Sequence, residues 1–570
     1  MGRPVDGEEP MSRSIVATLA FMAGIGATAA AQTELLRFRG AVPDDSYGWA
    51  LGPAGDVDGD GIADFLVGSD DDATNGTAAG RVRVLSGRDG ALLREHFGDQ
   101  ANDRFGWALG KGVGDLDADG HDDYVVGAIQ SADLASYGNG YVRAFSGLTG
   151  ALLHEWIGSE LDAAWGERPT IVGDIDLDGH ADVAIGAPWA NPGGLPSAGS
   201  VSIYSGDDGS LLWQRDGQGI SEYFGYVVEP VADVDGDGAP EVAIGLPGRF
   251  VNGVWRGGVE VWSPRNGTLL CTEMGGVGDF YGTALADVGD LDGDGISELL
   301  VGSNNDNGPD IVPGEAHVYS LKHGAELYCF AGPTDGDLFS YAVAGLDDLD
   351  GDGVNEFLIS APVGSYYQPW TGHVYIYSGH RGRLLFDLET GAQDDVFGAD
   401  AMVLGDVDGD GKRDWLVGAP NGKAYGVPNA PGAIHLFTAA DCHASAQAYG
   451  SGWPGTFGVP SLAASNPPWL GEPIDIVLGN SYGQPTIALV LMGFGKAQIA
   501  SSWDGDFLVA PPWISFTFAL PAGGLTLPEA VEPDVSLCGL EVDVQLLLAD
   551  PGASDGIAFS AGLELLLGGR

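Results

Sequence analysis

Four acidic residues recur at fixed spacing through most of the chain. The pattern Asp-x-Asp-x-Asp-Gly-x-x-(Asp/Glu) begins at seven places. The first copy carries Asp56, Asp58, Asp60 and Asp64, and the second Asp115, Asp117, Asp119 and Asp123. The third has Asp174, Asp176, Asp178 and Asp182, and the fourth Asp233, Asp235, Asp237 and Glu241. Asp290, Asp292, Asp294 and Glu298 make the fifth, and Asp348, Asp350, Asp352 and Glu356 the sixth. Asp406, Asp408, Asp410 and Asp414 complete the series. Alternating carboxylates followed by a glycine that permits a sharp turn draw several oxygens toward one point. In the first copy the carbonyl of Ile62 adds another. A hard cation that takes six to eight oxygens at about 2.3–2.6 Å suits this set, so calcium, up to seven ions, is the expected cofactor; magnesium demands tighter octahedral geometry. A plain Asp/Gly-rich hairpin turn explains one copy easily and seven poorly. Without cations the four carboxylates of each loop would repel one another, so the ion's expected role is structural.

The steps between copies are 57 to 59 residues, and the flanks repeat with them. Upstream stands an aromatic residue, usually followed by Gly: Tyr47-Gly48, Phe105-Gly106, Phe224-Gly225, Tyr281-Gly282 and Phe397-Gly398, with Trp165-Gly166 and Phe339-Ser340 as departures. Downstream is a short apolar run ending in small residues, such as Trp415-Leu416-Val417-Gly418-Ala419-Pro420. An alternating run closed by Ser-Gly follows, as in Arg81 to Gly87, and then a fourth run such as Ala91 to Phe97. Period-2 patterning between Gly-rich turns signals strands and hairpins. Four short antiparallel strands per unit, repeated radially, make a β-propeller. The expected fold is therefore all-β, a seven-bladed propeller over residues 34–440. Leu35 to Gly40 resembles a fourth strand but precedes the first loop, while the seventh unit stops after its third strand, Ala433 to Phe437. The N-terminal strand is expected to close the ring and remove the exposed edges.

The 570 residues carry 24 Lys+Arg against 81 Asp+Glu, a formal net charge of −57. Phosphate-rich partners would be repelled, which argues against nucleic acid. The apolar fraction of 44% against 18% charged is the reverse of an acidic disordered chain. Met11 to Gln32 reads as a secretory signal, with Arg13 before the apolar run Ile15 to Ile25 and Ala29-Ala30-Ala31 offering a cleavage site. The acidic residues before Met11 fit poorly, so Met11 reads as the start and 1–31 as the signal peptide. No later stretch has the ~18 uninterrupted apolar residues of a membrane span, and a secreted, extracellular or cell-surface location is expected. Residues 441–570 lose the period and carry strand-like runs, Ile474 to Leu478, Ile487 to Leu491, Trp513 to Ala519, Val542 to Leu548 and Leu563 to Leu567, which read as a small C-terminal β-sandwich-like domain. Export permits a Cys442–Cys538 bridge, though sequence alone does not fix pairing. Cys271 and Cys329 occupy matching places in successive repeats and read as two separate buried thiols.

The aromatic-Gly start, the Asp-rich loop and the Gly-Ala-Pro end resemble FG-GAP repeats, the blades of the integrin α-subunit N-terminal β-propeller and of many secreted bacterial proteins. The resemblance implies that the Asp-rich loops bind calcium through the four acids of each copy. It differs in that integrin propellers carry such loops in only some blades, and that no metal-dependent adhesion domain is inserted here.

No catalytic motif stands out. The ten histidines are scattered without His-Glu-x-x-His spacing, and no Gly-x-Ser-x-Gly elbow has a credible triad order. His121 and His180 sit at the seventh loop position, with side chains expected to face solvent. Trp255 and Trp370 fall at blade rims by pattern. The favoured expectation is a non-enzymatic extracellular binding or adhesion protein whose ligand is an extracellular protein or glycan. A hydrolase or lyase on polysaccharide or phospholipid is the second, which a pair of acids near the central channel would favour. A structural surface or matrix component is the third. Fold analogy alone does not choose among them.

Overall fold

In the computed structural model the described residues are 34–40, 46–132, 137–304, 313–349, 352–363, 372–390, 395–407, 411–420, 432–438, 445–465, 473–493, 496–501, 506–510, 514–530 and 541–566. The signal-type segment, Trp370, Cys442, Cys538, Asp350, Asp408 and Asp410 lie outside them. Contacts divide the chain into two compact units, one built from Gln32–Asp348 and Val354–Ala439, the other mainly from Ala440–Arg570.

The larger unit is all-β. Each span between successive aromatic-Gly pairs folds into a four-stranded antiparallel sheet whose strand order follows the chain. The first comprises Leu51–Gly55, Asp64–Ser69, Arg81–Leu85 and Leu92–Phe97. The second to sixth begin at Phe105, Pro169, Val228, Ala284 and Val343. The last chain strands, Ala401–Val403, Trp415–Ala419 and Ala433–Phe437, are completed by Glu34–Arg39, which pairs antiparallel with Ala433–Phe437. Second strands such as Asp64–Ser69 and Asp182–Ala187 are buried along their whole length, because strands flank them on both edges and sheets cover both faces. That is why they read as unbroken apolar runs rather than alternating ones. Fourth strands such as Leu92–Phe97 lie at the edge and stay largely open.

Neighbouring sheets share cores. Leu66 and Val84 of the first pack with Phe105, Tyr124 and Val126 of the second, and Val172 and Val201 of the third with Phe224 and Val242 of the fourth. Leu416, Ile434 and Leu436 near the end of the unit share a core with Leu51, Phe65 and Val67 of the first sheet. The repeated aromatics fill these seams: Phe105, Tyr281, Phe339 and Phe397 are fully buried. The repeated glycines permit the backbones to meet. A Cβ on Gly68 would lie 2.2 Å from the carbonyl oxygen of Gly106, and one on Gly418 would lie 2.2 Å from that of Gly48. The Gly of the aromatic-Gly pair and the Gly of the small-residue turn are thus two halves of one inter-sheet contact, and Gly418 with Gly48 makes it between the last sheet and the first.

The smaller unit has two main sheets. One is ordered Ser445–Tyr449, Gly562–Leu566, Glu541–Ala549, Thr486–Gly493, Ile514–Leu520, and the other Leu462–Ala464, Pro473–Leu478, Leu525–Ala530. Ile474, Ile476 and Leu478 of the second share a core with Val490, Val544, Leu546 and Leu563 of the first. Alternate residues along these strands point into it, as the period of two requires.

Candidate metal centres in the Asp-rich loops

Each loop joins the first and second strands of its sheet. Two anchors hold it. The apolar residue at the second position is buried between sheets, as with Val57, Leu116, Ile175 and Leu291. The acid at the ninth position is buried completely in all seven copies, from Asp64 and Asp123 to Glu356 and Asp414. The two anchors meet: the amide of Val57 donates to Asp64 Oδ2 at 2.8 Å, and the amides of Leu116 and Ile175 do likewise to Asp123 and Asp182 at 2.7 and 2.8 Å.

Above these anchors the first, third and fifth carboxylates are organised by the loop backbone. Asp56 Oδ1 accepts from the amide of Asp60 at 3.0 Å and its Oδ2 from Gly61 at 2.9 Å. Asp58 Oδ1 accepts from Asp60, and Asp60 Oδ1 from Ile62. The same bonds recur around Asp115, Asp174, Asp233 and Asp290. In the seventh loop Gly411 donates to Asp406 and Val407 to Asp414. Carboxylate oxygens of Asp56, Asp58 and Asp64 come within 4.8 Å of one another, as do those of Asp115, Asp117 and Asp123, and those of Asp233, Asp235, Asp237 and Glu241.

The donor set fits a hard cation. In the first three copies both ninth-position oxygens accept amides, Asp64 Oδ1 taking that of Gly87 at 3.0 Å, yet each oxygen keeps a second lone pair. In the fourth and fifth copies, where the acid is Glu, one buried oxygen, Glu241 Oε1 or Glu298 Oε1, has no hydrogen-bond partner. A buried carboxylate oxygen without a donor is costly, and a cation at the loop removes that cost. Burial pushes the Asp64 and Asp123 carboxyls up to about 6 and those of Asp182, Glu241 and Glu298 up to about 7. Neighbouring loop aspartates add repulsion in the same direction.

Three features were missed in the sequence. The Ser-Gly turn after the third strand supplies the second amide to the ninth acid, from Gly87, Gly147 and Gly206. In the fourth copy that place is Pro264, which has no amide hydrogen, and the ninth acid there is a Glu. Residues of the same turn also reach the fifth position: Arg88 pairs with Asp60, and Asn266 donates to Asp237 at 2.7 Å. Finally, loops bond to each other. The amide of Ala181 donates to Asp115 O at 2.9 Å, and Arg413 Nε bonds Asp347 at 2.7 Å.

Two expectations need correction. His180 does not face solvent freely; its Nδ1 lies 2.7 Å from the carbonyl oxygen of Leu116 in the preceding loop. Cys271 and Cys329 are separate free thiols, but Cys329 is exposed and Cys271 only half-buried. Nor do they match in place: Cys271 pairs with Val261, whereas Cys329 pairs with His317, one step further from the strand end. A one-residue offset turns a side chain to the other face.

The FG-GAP repeat family matches residues 170–204 and 339–377, which hold the third and sixth loops. This chain carries FG-GAP repeats. It is 31% identical over 223 residues to integrin alpha-V of Gallus gallus, covering 36% of this chain and 20% of that protein. To integrin alpha-5 of Xenopus laevis it is 30% identical over 229 residues, covering 38% and 21%. The FG-GAP chain thus spans about a fifth of the length of these relatives. A solved chain titled "Structure of Dos1 propeller" aligns with 73% of it at 10% identity and a TM-score of 0.36, too loose a likeness to build on.

Proposed function

We propose that this FG-GAP repeat protein is a secreted, non-enzymatic extracellular binding or adhesion protein. Its scaffold is a closed seven-bladed propeller over residues 34–440, sealed by the N-terminal strand, with a signal peptide before it and a β-sandwich-like domain after it. Calcium sits in the blade loops and stiffens them. One observation carries the calcium reading: the ninth-position acid is fully buried in all seven loops, it stands beneath exposed aspartates in the first five, and in the fourth and fifth it holds an oxygen with no donor. The integrin α likeness supports extracellular binding as the purpose of the scaffold. The test is binding of the calcium-loaded full chain to arrayed matrix proteins and glycans. Saturable binding that EDTA abolishes supports the reading; turnover of a glycan or phospholipid without stable binding overturns it.

The hydrolase reading has one observation on its side. Glu229 and Asp287 lie on neighbouring first strands, and Glu229 Oε1 accepts the Asp287 amide at 3.3 Å. Burial pushes the Glu229 carboxyl up to about 8, a value useful to a general acid. Both Asp287 oxygens are already engaged, by Gly289 and by Ser297, which favours a positioning role for the pair. Release of reducing ends from polysaccharide, lost in Glu229→Gln, would restore the hydrolase.

A further inference from the structure

The fifth sheet carries a second kind of ligand cluster, away from the Asp-rich loops. Its third and fourth strands are Glu315–Ser320 and Ala325–Ala331. His317 and Cys329 are direct cross-strand partners, so their side chains leave the sheet on the same face. Two residues further along, the register shifts between Val318 and Tyr319, and Glu326 becomes the partner of Tyr319. Without that bulge Glu326 would lie on the opposite face; with it, Glu326 joins His317. His317 Nδ1 lies 2.7 Å from Glu326 Oε1, and the ligating atoms of His317, Glu326 and Cys329 all fall within 4.8 Å of one another. Glu315, two residues before His317 on the same strand, brings Oε2 to 3.5 Å from Nε2. The imidazole is held edge-on to Tyr281 and stacked with Tyr319. Its Nε2 is buried without a hydrogen-bond partner, whereas Cys329 and Glu326 are open to solvent.

The same place in the first two sheets holds cross-strand ion pairs, Arg83 with Glu95 and Arg143 with Glu155. In the fifth sheet the cation is replaced by imidazole, and the opposite residue is a thiol. We propose that His317 through Nδ1, Cys329 and Glu326, with water as the fourth donor, form a site for a zinc-class transition metal, while Glu315 faces the far ring nitrogen and orients the imidazole. Imidazole and thiolate select such ions over calcium. Tetrahedral zinc, with bonds of ~2.0–2.3 Å, places its donors about 3–4 Å apart. Only the exposed Glu326 and Cys329 side chains need turn to reach that spacing. Binding converts the Cys329 thiol to thiolate and releases its proton to solvent.

The test uses cobalt(II) as a spectroscopic stand-in for zinc, on the reduced full chain with calcium in excess. A thiolate-to-cobalt charge-transfer band is expected in the near ultraviolet, which carboxylate loops cannot produce. One equivalent of zinc should bleach it. Cys329→Ser, an exposed near-isosteric change, should abolish the band, His317→Gln should weaken it at least tenfold in cobalt affinity, and Cys271→Ser should leave it intact. Zinc should also shield Cys329 from alkylation, read by peptide mass spectrometry. The proposal falls if the wild-type chain shows no band, if the band survives Cys329→Ser, or if zinc leaves alkylation of Cys329 unchanged.

Discussion

The ninth loop position shows how a single residue type sets the behaviour of a site. Asp64 is satisfied by two amides, whereas Glu241 and Glu298 each keep a buried oxygen without a donor. Glu241→Gln should remove most of that loop's calcium gain while leaving the metal-free protein as stable or more so. At calcium a hundredfold above Kd one site contributes about 2.7 kcal/mol, and calorimetry of the variant should show a loss of that order. The pH dependence follows from the same residues. Their carboxyls ionise near 3.8 or 4.5 unperturbed and near 6 or 7 when folded. Over that interval the folded state holds protons that the unfolded chain has released, so stability falls as pH rises. In EDTA the melting temperature should decline from about pH 4 to pH 7; in saturating calcium, which replaces the proton, that decline should vanish. Carboxylate spacing made these residues legible in the sequence. The amides from Gly87 and the fate of His180 were not legible, because both depend on segments brought together only by folding.

Sheets and their seams form the next level. The run of apolar second strands, the Ser-Gly turns and the fourth-strand likeness of Leu35 to Gly40 were all readable from period and punctuation, and Glu34–Arg39 indeed pairs with Ala433–Phe437. What joins one sheet to the next was not readable, since a recurring Gly in a turn says nothing of the backbone that approaches it. Gly68 meets the Gly106 carbonyl with no room for a Cβ. Gly68→Val should therefore cost about 3–5 kcal/mol, the range of severe core disruption, while Gly523→Ala, which faces open space without a left-handed backbone, should cost under about 1 kcal/mol. Urea titration of the two variants distinguishes them. Deleting residues 34–39 should leave Ala433–Phe437 as a bare edge prone to self-association, visible as concentration-dependent light scattering.

At the scale of the whole molecule, a net charge of −57 opposes a compact state, and 28 of the 81 acidic residues fill the four repeated acidic positions of the seven loops. The loops touch, through Ala181 to Asp115 and Arg413 to Asp347, so loss of cations from one should loosen its neighbour. Divalent cations in these loops are expected to hold the larger unit together. Thermal unfolding of the full chain in EDTA, followed by calcium titration, tests this most directly. The melting temperature should climb steeply with calcium and rise less with magnesium, and elemental analysis should find several bound ions per chain. A melting temperature indifferent to both EDTA and calcium, with no calcium bound, would contradict it.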